Sequence, residues 1–255
     1  MKKNIIVVDD FYTNPDAVRE FALKLQYSLY YDKDSGSSED QTYVRSSKVW
    51  FTTPIAQLMQ SYFKSEEMVG ALESLIGSKI DREHWQLPVH WNGAFHVKNH
   101  RDGIGPDHAR YHPDIGSGIH HHVGGVHAVG SSGWSGVLYL SPNPPLSGGI
   151  ATWRAKEEFP ADRWFMDFDL NRWERMDRIG NVYNRLVLLR GNICHTSSVG
   201  WGDSFESGRL FQTFFMRVLD DQPAEHCDRR KLVFQPAGSA QRGIPAGVAS
   251  PPSLT

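Results

Sequence analysis

Histidine is the residue type in this chain that points most directly to chemistry. The sequence of 255 residues contains 12 histidines, and ten of them fall within the 44 residues from His84 to His127. Imidazole is the commonest metal ligand among protein side chains. The density of the cluster therefore predicts a metal site, but it does not say which of these histidines bind the metal.

Two residues beyond this cluster, His195 and Arg209, extend the prediction. His195 ends a short predicted strand, and Arg209 opens the apolar strand 210–215 fourteen residues later. A cation that leads into an apolar strand is costly to bury without an anionic partner. A metal-bound histidine with an arginine nearby suits a keto acid that chelates the metal and carries a distal carboxylate, because a guanidinium binds a carboxylate through two parallel hydrogen bonds.

The elements that must position these residues change in type along the chain. The N-terminal part has apolar residues at helical spacing, and a helix is predicted from Ser65 to Ile76 with Gly77 as its stop signal. From His84 onwards, Gly, Pro and Asn separate at least six short predicted strands. These strands are 89–98, 118–123, 136–140, 150–154, 183–189 and 210–218. The segment 159–178 is expected to be an insertion with a short helix.

This order of elements predicts an α+β fold. Its core is expected to be a double-stranded β-helix, a jelly roll of the cupin-like kind, with the N-terminal helices packed outside. Length and composition predict one such domain over residues 1–235 and a Pro/Gly/Ser-rich tail over residues 236–255.

Charge and hydropathy argue against several classes of partner. The chain has 27 basic and 29 acidic side chains without a basic cluster, so neither a nucleic acid nor an anionic membrane is expected as a partner. No apolar run approaches the roughly 18 residues of a membrane helix. The start of the chain, Met1–Asn4, has no small-residue cleavage site nearby. We therefore expect a cytoplasmic protein with a small-molecule substrate. Whether the protein forms a homodimer is left open.

Several segments taken together resemble one known family. They are Val8–Phe11 with Asn14–Phe21, Trp134–Leu140 with Gly148-Gly149, Tyr183–Leu188 with Gly191-Asn192, and Gly208–Phe215. In this order and spacing the chain looks like an Fe(II)/2-oxoglutarate-dependent oxygenase of the bacterial DUF6445-like branch. The resemblance implies a jelly-roll dioxygenase that activates a C–H bond of a small molecule, with hydroxylation as the default outcome.

The resemblance also implies roles for individual residues. The family binds Fe(II) through a His-x-Asp…His triad, which leaves three metal positions for 2-oxoglutarate and dioxygen. Carried over, this motif makes His127 and His195 the metal ligands and Arg209 the partner of the far carboxylate of 2-oxoglutarate. Tyr139 is expected either to hydrogen-bond 2-oxoglutarate or only to fill the barrel. Val129 falls on the carboxylate position. Two further residues are assigned to the substrate pocket, Trp153 and Arg154.

Valine cannot ligate iron, so Val129 leaves four interpretations open. First, another side chain completes the site, with His121 or His122 as the third ligand of a three-histidine centre. The wider set of nearby donors is His120, His121, His122, Asp107 and Asp114. Second, chloride fills the position, which implies chlorination. Third, two histidines and the keto acid hold iron weakly. Fourth, the protein binds ligands without catalysis.

A shift of register is a further alternative. His120 and His122 have the spacing of His-x-Asp with histidine in the second slot, whereas the distance from His127 to Trp134 favours His127. The alternative function is a histidine-rich jelly-roll metal enzyme that does not use 2-oxoglutarate.

Overall fold

A computed structural model describes most of the chain. The described residues are 4–29, 50–53, 58, 61–87, 91–99, 116–125, 127–159, 165–219 and 234. Three of the sequence predictions lie outside these ranges, namely the tail 236–255 and the donors Asp107 and Asp114.

Few helices and many short strands make up the described residues. The helices are α1 (Pro15–Leu23), α2 (Glu66–Ile76) and α3 (Arg82–Gln86). The strands are β1 (Ile5–Val8), β2 (Ser28–Leu29), β3 (Trp50–Thr52), β4 (Phe95–Lys98), β5 (Trp134–Tyr139), β6 (Ile150–Ala155), β7 (Trp173–Ile179), β8 (Leu186–Arg190), β9 (Cys194–Ser197) and β10 (Arg209–Met216). This mixture of helices and strands agrees with the predicted α+β class.

The predicted boundaries of α2 are confirmed, and their local cause is visible. The Ser65 side chain accepts a hydrogen bond from the Met68 N–H at 3.2 Å, which satisfies one of the free donors of the first turn. Gly77 ends the helix in the left-handed conformation, with φ at 74°, where a residue without Cβ is favoured. The apolar side of α2 is buried against the sheet.

The strands form two antiparallel sheets. The larger sheet has the order β1-β8-β5-β10-β4-β3-β2, and the smaller one has the order β7-β6-β9. In the described part of 159–178, the edge strand β7 stands where a short helix was expected, and the helical turn found there is a 3-10 turn at Leu170–Arg172. Most side chains of β7 are exposed. An edge strand of this kind lacks the apolar alternation by which buried strands are recognised.

Alternation along β10 gives the larger sheet two different faces. Leu210, Phe214 and Met216 lie in a large apolar core to which all three helices contribute. Phe211 faces the other way, into a smaller apolar cluster that includes Ile150 of β6. We call this second side the inner face. Its residues on β10 are Arg209, Phe211, Thr213 and Phe215.

Within the described residues, no helix is both long enough and apolar enough to cross a membrane.

A buried carboxylate joins α2 to the start of α3. Glu73 is 3% exposed and accepts hydrogen bonds from the Ile80 N–H at 2.7 Å and from Arg82 Nη1 at 2.6 Å. Burial alone would raise the pKa of this carboxyl, but the hydrogen bonds from Arg82 and Ile80 outweigh it and hold the pKa below its usual value. The folded state therefore favours the ionised form.

Replacing Glu73 by glutamine is expected to destabilise the fold in a pH-dependent way. At neutral pH the free energy of unfolding should fall by about 1–3 kcal/mol, because a charged hydrogen-bond acceptor is lost. Since the folded pKa is lowered, the contribution is complete above the ordinary glutamate value of about 4.3 and is lost as the pH falls below it. Urea unfolding of both proteins between pH 7 and pH 3 should show the gap closing at low pH.

The matched control is Glu66→Gln, which removes the other carboxylate paired with Arg82. The Glu66 side chain is 71% exposed, so this change should cost little at any pH. If the difference in unfolding free energy between Glu73→Gln and the wild type did not change with pH, this explanation of the Glu73 contribution would be contradicted.

Candidate metal centre

Three histidines converge on one point between the sheets. The ligating nitrogens of His120, His122 and His195 all lie within 4.8 Å of one another. His122 and His195 are buried, and His120 is partly buried. Within the described ranges, no other group of three or more His, Cys, Asp or Glu side chains comes this close. The arrangement is one that could hold a metal ion.

The backbone explains why these three side chains meet. The His120 N–H donates to the His195 carbonyl at 3.1 Å, and the His195 N–H donates back at 2.9 Å, so the two residues lie directly opposite each other. Opposed residues of an antiparallel pair share a face. His122 follows two residues after His120, and its N–H donates to the Gly191 carbonyl at 2.8 Å. An extended segment therefore presents His120 and His122 on one side.

His121 lies between these two residues in the sequence and has different neighbours. Its ring packs against Phe165 at 4.9 Å and Phe159 at 5.9 Å between centroids. Its Nδ1 accepts a hydrogen bond from the Val123 N–H at 3.2 Å. Of the two residues predicted as a third ligand, the structure brings His122 into the group and leaves His121 outside it.

Backbone carbonyls orient two of the three imidazoles. His120 Nδ1 lies 2.8 Å from the Gly118 oxygen, and His195 Nδ1 lies 2.9 Å from the Ile193 oxygen. A carbonyl oxygen only accepts, so in each ring Nδ1 carries the proton and Nε2 keeps its lone pair. Metal-binding histidines are commonly oriented by a partner of this kind.

Burial keeps all three rings neutral. It lowers the pKa of His195 to about 3, with a further contribution from the neighbouring His120. Burial also lowers the pKa of His122 and of His120. Nearby imidazoles lower both pKa values further, and the charge of Lys98 contributes to the lowering at His120. Neutral imidazole is the form that binds metal, so protons do not compete for these nitrogens near neutral pH.

His127, the residue expected from the family motif, is not a member of this group. The chain leaves the extended segment after His122 and returns to it at Val129, whose N–H donates to the His122 carbonyl at 2.8 Å. His127 lies on the intervening loop, with its ring 4.7 Å from Phe215 and 4.3 Å from Trp91. The segment with the His-x-Asp spacing is thus His120–His122, which corresponds to the alternative register.

Val129 itself packs away from the three imidazoles. It is 1% exposed, and its side chain lies against the backbone of Gly133 and Gly191. The second slot of the His-x-His segment is filled by His122.

Arg209 is buried on the inner face without a carboxylate partner among the described residues. It is 1% exposed, and Nη1 donates to the Ser198 carbonyl at 3.2 Å. Its guanidinium lies over the rings of Phe211 at 4.8 Å and Tyr139 at 5.7 Å. Arg209 Nε and Tyr139 Oη are both buried, and the guanidinium and the hydroxyl interact with each other.

The environment of these two groups is unfavourable to charge. Burial lowers the pKa of Arg209, and it raises the pKa of Tyr139 to about 12 despite the nearby guanidinium. Two neighbouring polar groups with unused hydrogen-bonding capacity are costly to bury. A carboxylate between them would accept hydrogen bonds from both.

The inner face connects this arginine with the three histidines. Arg209 stands at one end of β10, and Phe215 stands near the other, where its ring lies 5.0 Å from His122. The Ser198 carbonyl that accepts from Arg209 directly follows β9, the strand that carries His195. The metal-ligand candidates and the cation therefore lie on the same side of the larger sheet, its inner face.

Lys98 also lies on the inner face, and the sequence analysis did not predict it as a buried residue near the site. It is 2% exposed, lies directly opposite Arg209 across β4 and β10, and donates from Nζ to the Gly116 carbonyl at 2.6 Å. A signal was present, since the alternation Phe-His-Val-Lys over 95–98 puts His96 and Lys98 on one face.

Trp153 and Arg154, the two residues expected in the substrate pocket, have contacts other than the three histidines. On β6, Thr152 pairs with His195 and Trp153 pairs with Cys194, so Trp153 is on the face opposite the three histidines. Its Nε1 donates to Thr196 Oγ1 at 3.0 Å. The Arg154 side chain is 62% exposed and forms an ion pair with Glu174 at 2.6 Å.

Two of the solved structures that are similar to this chain are structures of the same enzyme. No protein-family model and no curated protein sequence matches the chain. One structure is the epimerase SnoN in complex with Fe3+, alpha ketoglutarate and nogalamycin RO, with 10% identity and a TM-score of 0.48 over 83% of this chain and 78% of that one. The other is the non-heme alpha ketoglutarate dependent epimerase SnoN from nogalamycin biosynthesis, with 10% identity and a TM-score of 0.49 over 99% and 89%. Both similarities are weak, so the metal centre is assigned from this chain's own residues alone.

Proposed function

We propose that this chain is a non-haem Fe(II) oxygenase that uses 2-oxoglutarate to oxidise a C–H bond of a small molecule, on a jelly-roll fold. The observation that carries the proposal is Arg209, a fully buried cation without a carboxylate partner among the described residues, which lies beside the buried Tyr139 hydroxyl on the inner face. The segments that resemble the oxygenase family agree with it. The cytoplasmic location is part of the same proposal.

The donor set fits iron. We assign the metal to His120, His122 and His195. In this assignment His120 and His122 replace His127, because the three histidines present neutral nitrogens toward one point. The Gly118 and Ile193 carbonyls hold two rings in the required tautomer. Three imidazole ligands would leave room on a bound iron for a chelating keto acid and dioxygen. Iron with 2-oxoglutarate would supply the oxidation of a substrate C–H bond by dioxygen, in which one oxygen atom enters the substrate and the other enters succinate as the keto acid loses carbon dioxide.

Arg209 and Tyr139 fit the distal carboxylate of the cosubstrate. Two guanidinium nitrogens already donate to backbone carbonyls, Nη1 to Ser198 and Nη2 to Gly149, and Nε is left to donate to an anion. Tyr139 can donate its hydroxyl proton to the same carboxylate, and its raised pKa keeps that proton in place. An anion bound here offsets the cost of the buried cation. These residues thus bind and orient the cosubstrate, while apolar side chains such as Phe211 keep water out.

The proposed outcome is hydroxylation. Chlorination was tied to an anion that fills a missing carboxylate position, and in the register that starts at His120 this position is occupied by His122. We therefore leave chloride out of the proposal.

A second candidate is a three-histidine metal enzyme that does not use 2-oxoglutarate. The observation in its favour is the donor set itself, which contains no carboxylate. In that case the buried cation would bind an acidic group of the substrate.

Anaerobic titration separates the two candidates. Fe(II) followed by 2-oxoglutarate should produce the visible charge-transfer band of the chelate, and admission of dioxygen should then yield succinate. Fe(II) binding without a band and without succinate would overturn the primary proposal and favour the second candidate. Failure to bind any divalent metal would contradict both.

A further inference from the structure

We propose that the outer edge of β1 is a self-association surface, through which two copies of this chain pair antiparallel about Ile6. Among the described strands, β1 ends the larger sheet and pairs with β8 alone. The inference goes beyond the proposed function and does not depend on it, because it involves neither the metal nor the cosubstrate.

The register of β1 shows which backbone groups point away from β8. Hydrogen bonds alternate along an antiparallel strand, so each residue directs its N–H and C=O either to its neighbour or to the other side. The Arg190 N–H donates to the Asn4 carbonyl at 2.9 Å, which turns Asn4 toward β8. By this alternation Ile6 also faces β8, while Ile5 and Val7 direct their backbone groups to the outer edge. A further strand would pair with these groups.

The side chains of β1 do not protect this edge. The strand reads Ile-Ile-Val-Val, and Val7 is 44% exposed. Edge strands are usually short, charged or covered, because an open apolar edge invites pairing with another chain. The other described edges follow that rule. β2 has two residues, β9 is bridged to His120, and β7 exposes four charged side chains, Glu174, Arg175, Asp177 and Arg178.

Charge complementarity identifies a second copy as the occupant. Lys2 and Lys3 precede β1, and Asp9 and Asp10 follow it. In the proposed antiparallel pair, position 3 of one copy is opposite position 9 of the other, and position 2 is opposite position 10. Cations therefore meet anions at both ends, and Asp9 remains 54% exposed beside its partner Arg185. A parallel pair would instead oppose like charges, which is destabilising.

The same register covers the exposed apolar side chains. Ile5 of one copy is opposite Val7 of the other, and the two residues exchange backbone hydrogen bonds in both directions. Directly opposed residues share a face, so Ile5 and Val7 from both copies form one apolar cluster that buries the exposed part of Val7. Ile6 meets the Ile6 of the second copy on the two-fold axis, as in an isologous interface.

Sedimentation equilibrium over a range of chain concentrations tests the inference. The average mass should rise from the 28.9 kDa of one chain toward twice that value. A single short strand pair is a small interface, so we expect a Kd in the micromolar range. Val7→Lys places a cation in the apolar cluster and should raise this Kd at least about 10-fold. The matched control is Met176→Lys, which replaces a similarly exposed residue of the edge strand β7 and should leave the Kd unchanged.

Disulfide crosslinking tests the register independently, and it also serves if Val7→Lys does not fold. In the proposed pair only Ile6 meets its own counterpart, with the two Cα atoms about 4.5 Å apart, a separation that a disulfide can span. Mild oxidation with diamide should therefore link Ile6→Cys into a covalent dimer faster than Val7→Cys, although Val7 is the more exposed residue. The wild-type chain, which has two cysteines, gives the background.

Three results would overturn the inference. A mass that stays at that of one chain at every concentration would leave the edge to a strand of a different protein. A dimer with an unchanged Kd in Val7→Lys would form through another surface, and equal crosslinking of Val7→Cys and Ile6→Cys would contradict the register. Neither measurement uses a metal or 2-oxoglutarate, so failure of the inference leaves the proposed function untouched.

Discussion

Replacing His122 by alanine is expected to remove high-affinity metal binding. The change deletes one of three imidazoles that converge within 4.8 Å. Loss of a residue that merely supports a ligand lowers metal affinity about 10- to 100-fold, so loss of a direct ligand should lower it at least 100-fold. Co(II) binding, followed by its visible absorption and by calorimetry under anaerobic conditions, gives the affinity directly.

Two neighbouring histidines serve as matched controls for this experiment. His121→Ala removes an adjacent buried imidazole that packs on Phe159 and Phe165. His127→Ala removes the imidazole that the family motif favoured. Both variants should bind Co(II) within a few-fold of the wild-type affinity. If His127→Ala lost the metal and His122→Ala kept it, the three-histidine assignment would be refuted and the register with His127 restored.

Replacing Arg209 by methionine is expected to abolish tight binding of 2-oxoglutarate while leaving the metal site intact. Truncation of one partner in a buried charge pair costs about 2–5 kcal/mol, which corresponds to a roughly 30-fold to several-thousand-fold rise in Kd. Methionine fills similar space with apolar atoms, so the variant avoids a large cavity. The measurement is calorimetric titration of the Co(II)-loaded protein with 2-oxoglutarate.

Thermal unfolding provides an independent readout of the same interaction. A ligand that binds only the folded state raises the Tm by mass action. Saturating 2-oxoglutarate should therefore raise the Tm of the wild-type protein and not that of Arg209→Met. Arg175→Met removes an exposed arginine on the edge strand β7 and should respond like the wild type. An unchanged Kd in Arg209→Met would show that the buried guanidinium is not the cosubstrate anchor.

Local sequence signals predicted much of the helical part of the fold. Ser65 and Gly77 mark the ends of α2 because capping and left-handed termination depend on the residues themselves. The strand β7 escaped recognition because its side chains are mostly exposed on the sheet edge, where no partner imposes an apolar alternation. The predicted strand 118–123 forms isolated bridges at Ile119 and His120 instead of a regular strand. The partners of these bridges lie in distant segments, which local sequence signals do not identify.

The sequence by itself determined the kind of site. Twelve histidines, ten of them clustered, predicted metal chemistry, because ligand preference belongs to the side chain. The position of Arg209 at the start of an apolar strand likewise predicted a buried cation in need of an anion. Both inferences used only residue type and local pattern, which do not depend on how the segments meet.

Only the tertiary structure decided which residues share the site. His122 and His195 are far apart in the chain and meet because an antiparallel pairing sets His120 opposite His195. His127 lies outside the group because the chain makes a loop between His122 and Val129. Lys98 stands opposite Arg209 through the register of β4 and β10. Register between distant strands is a property of the packed sheet, and a shift of one residue would turn every one of these side chains to the other face.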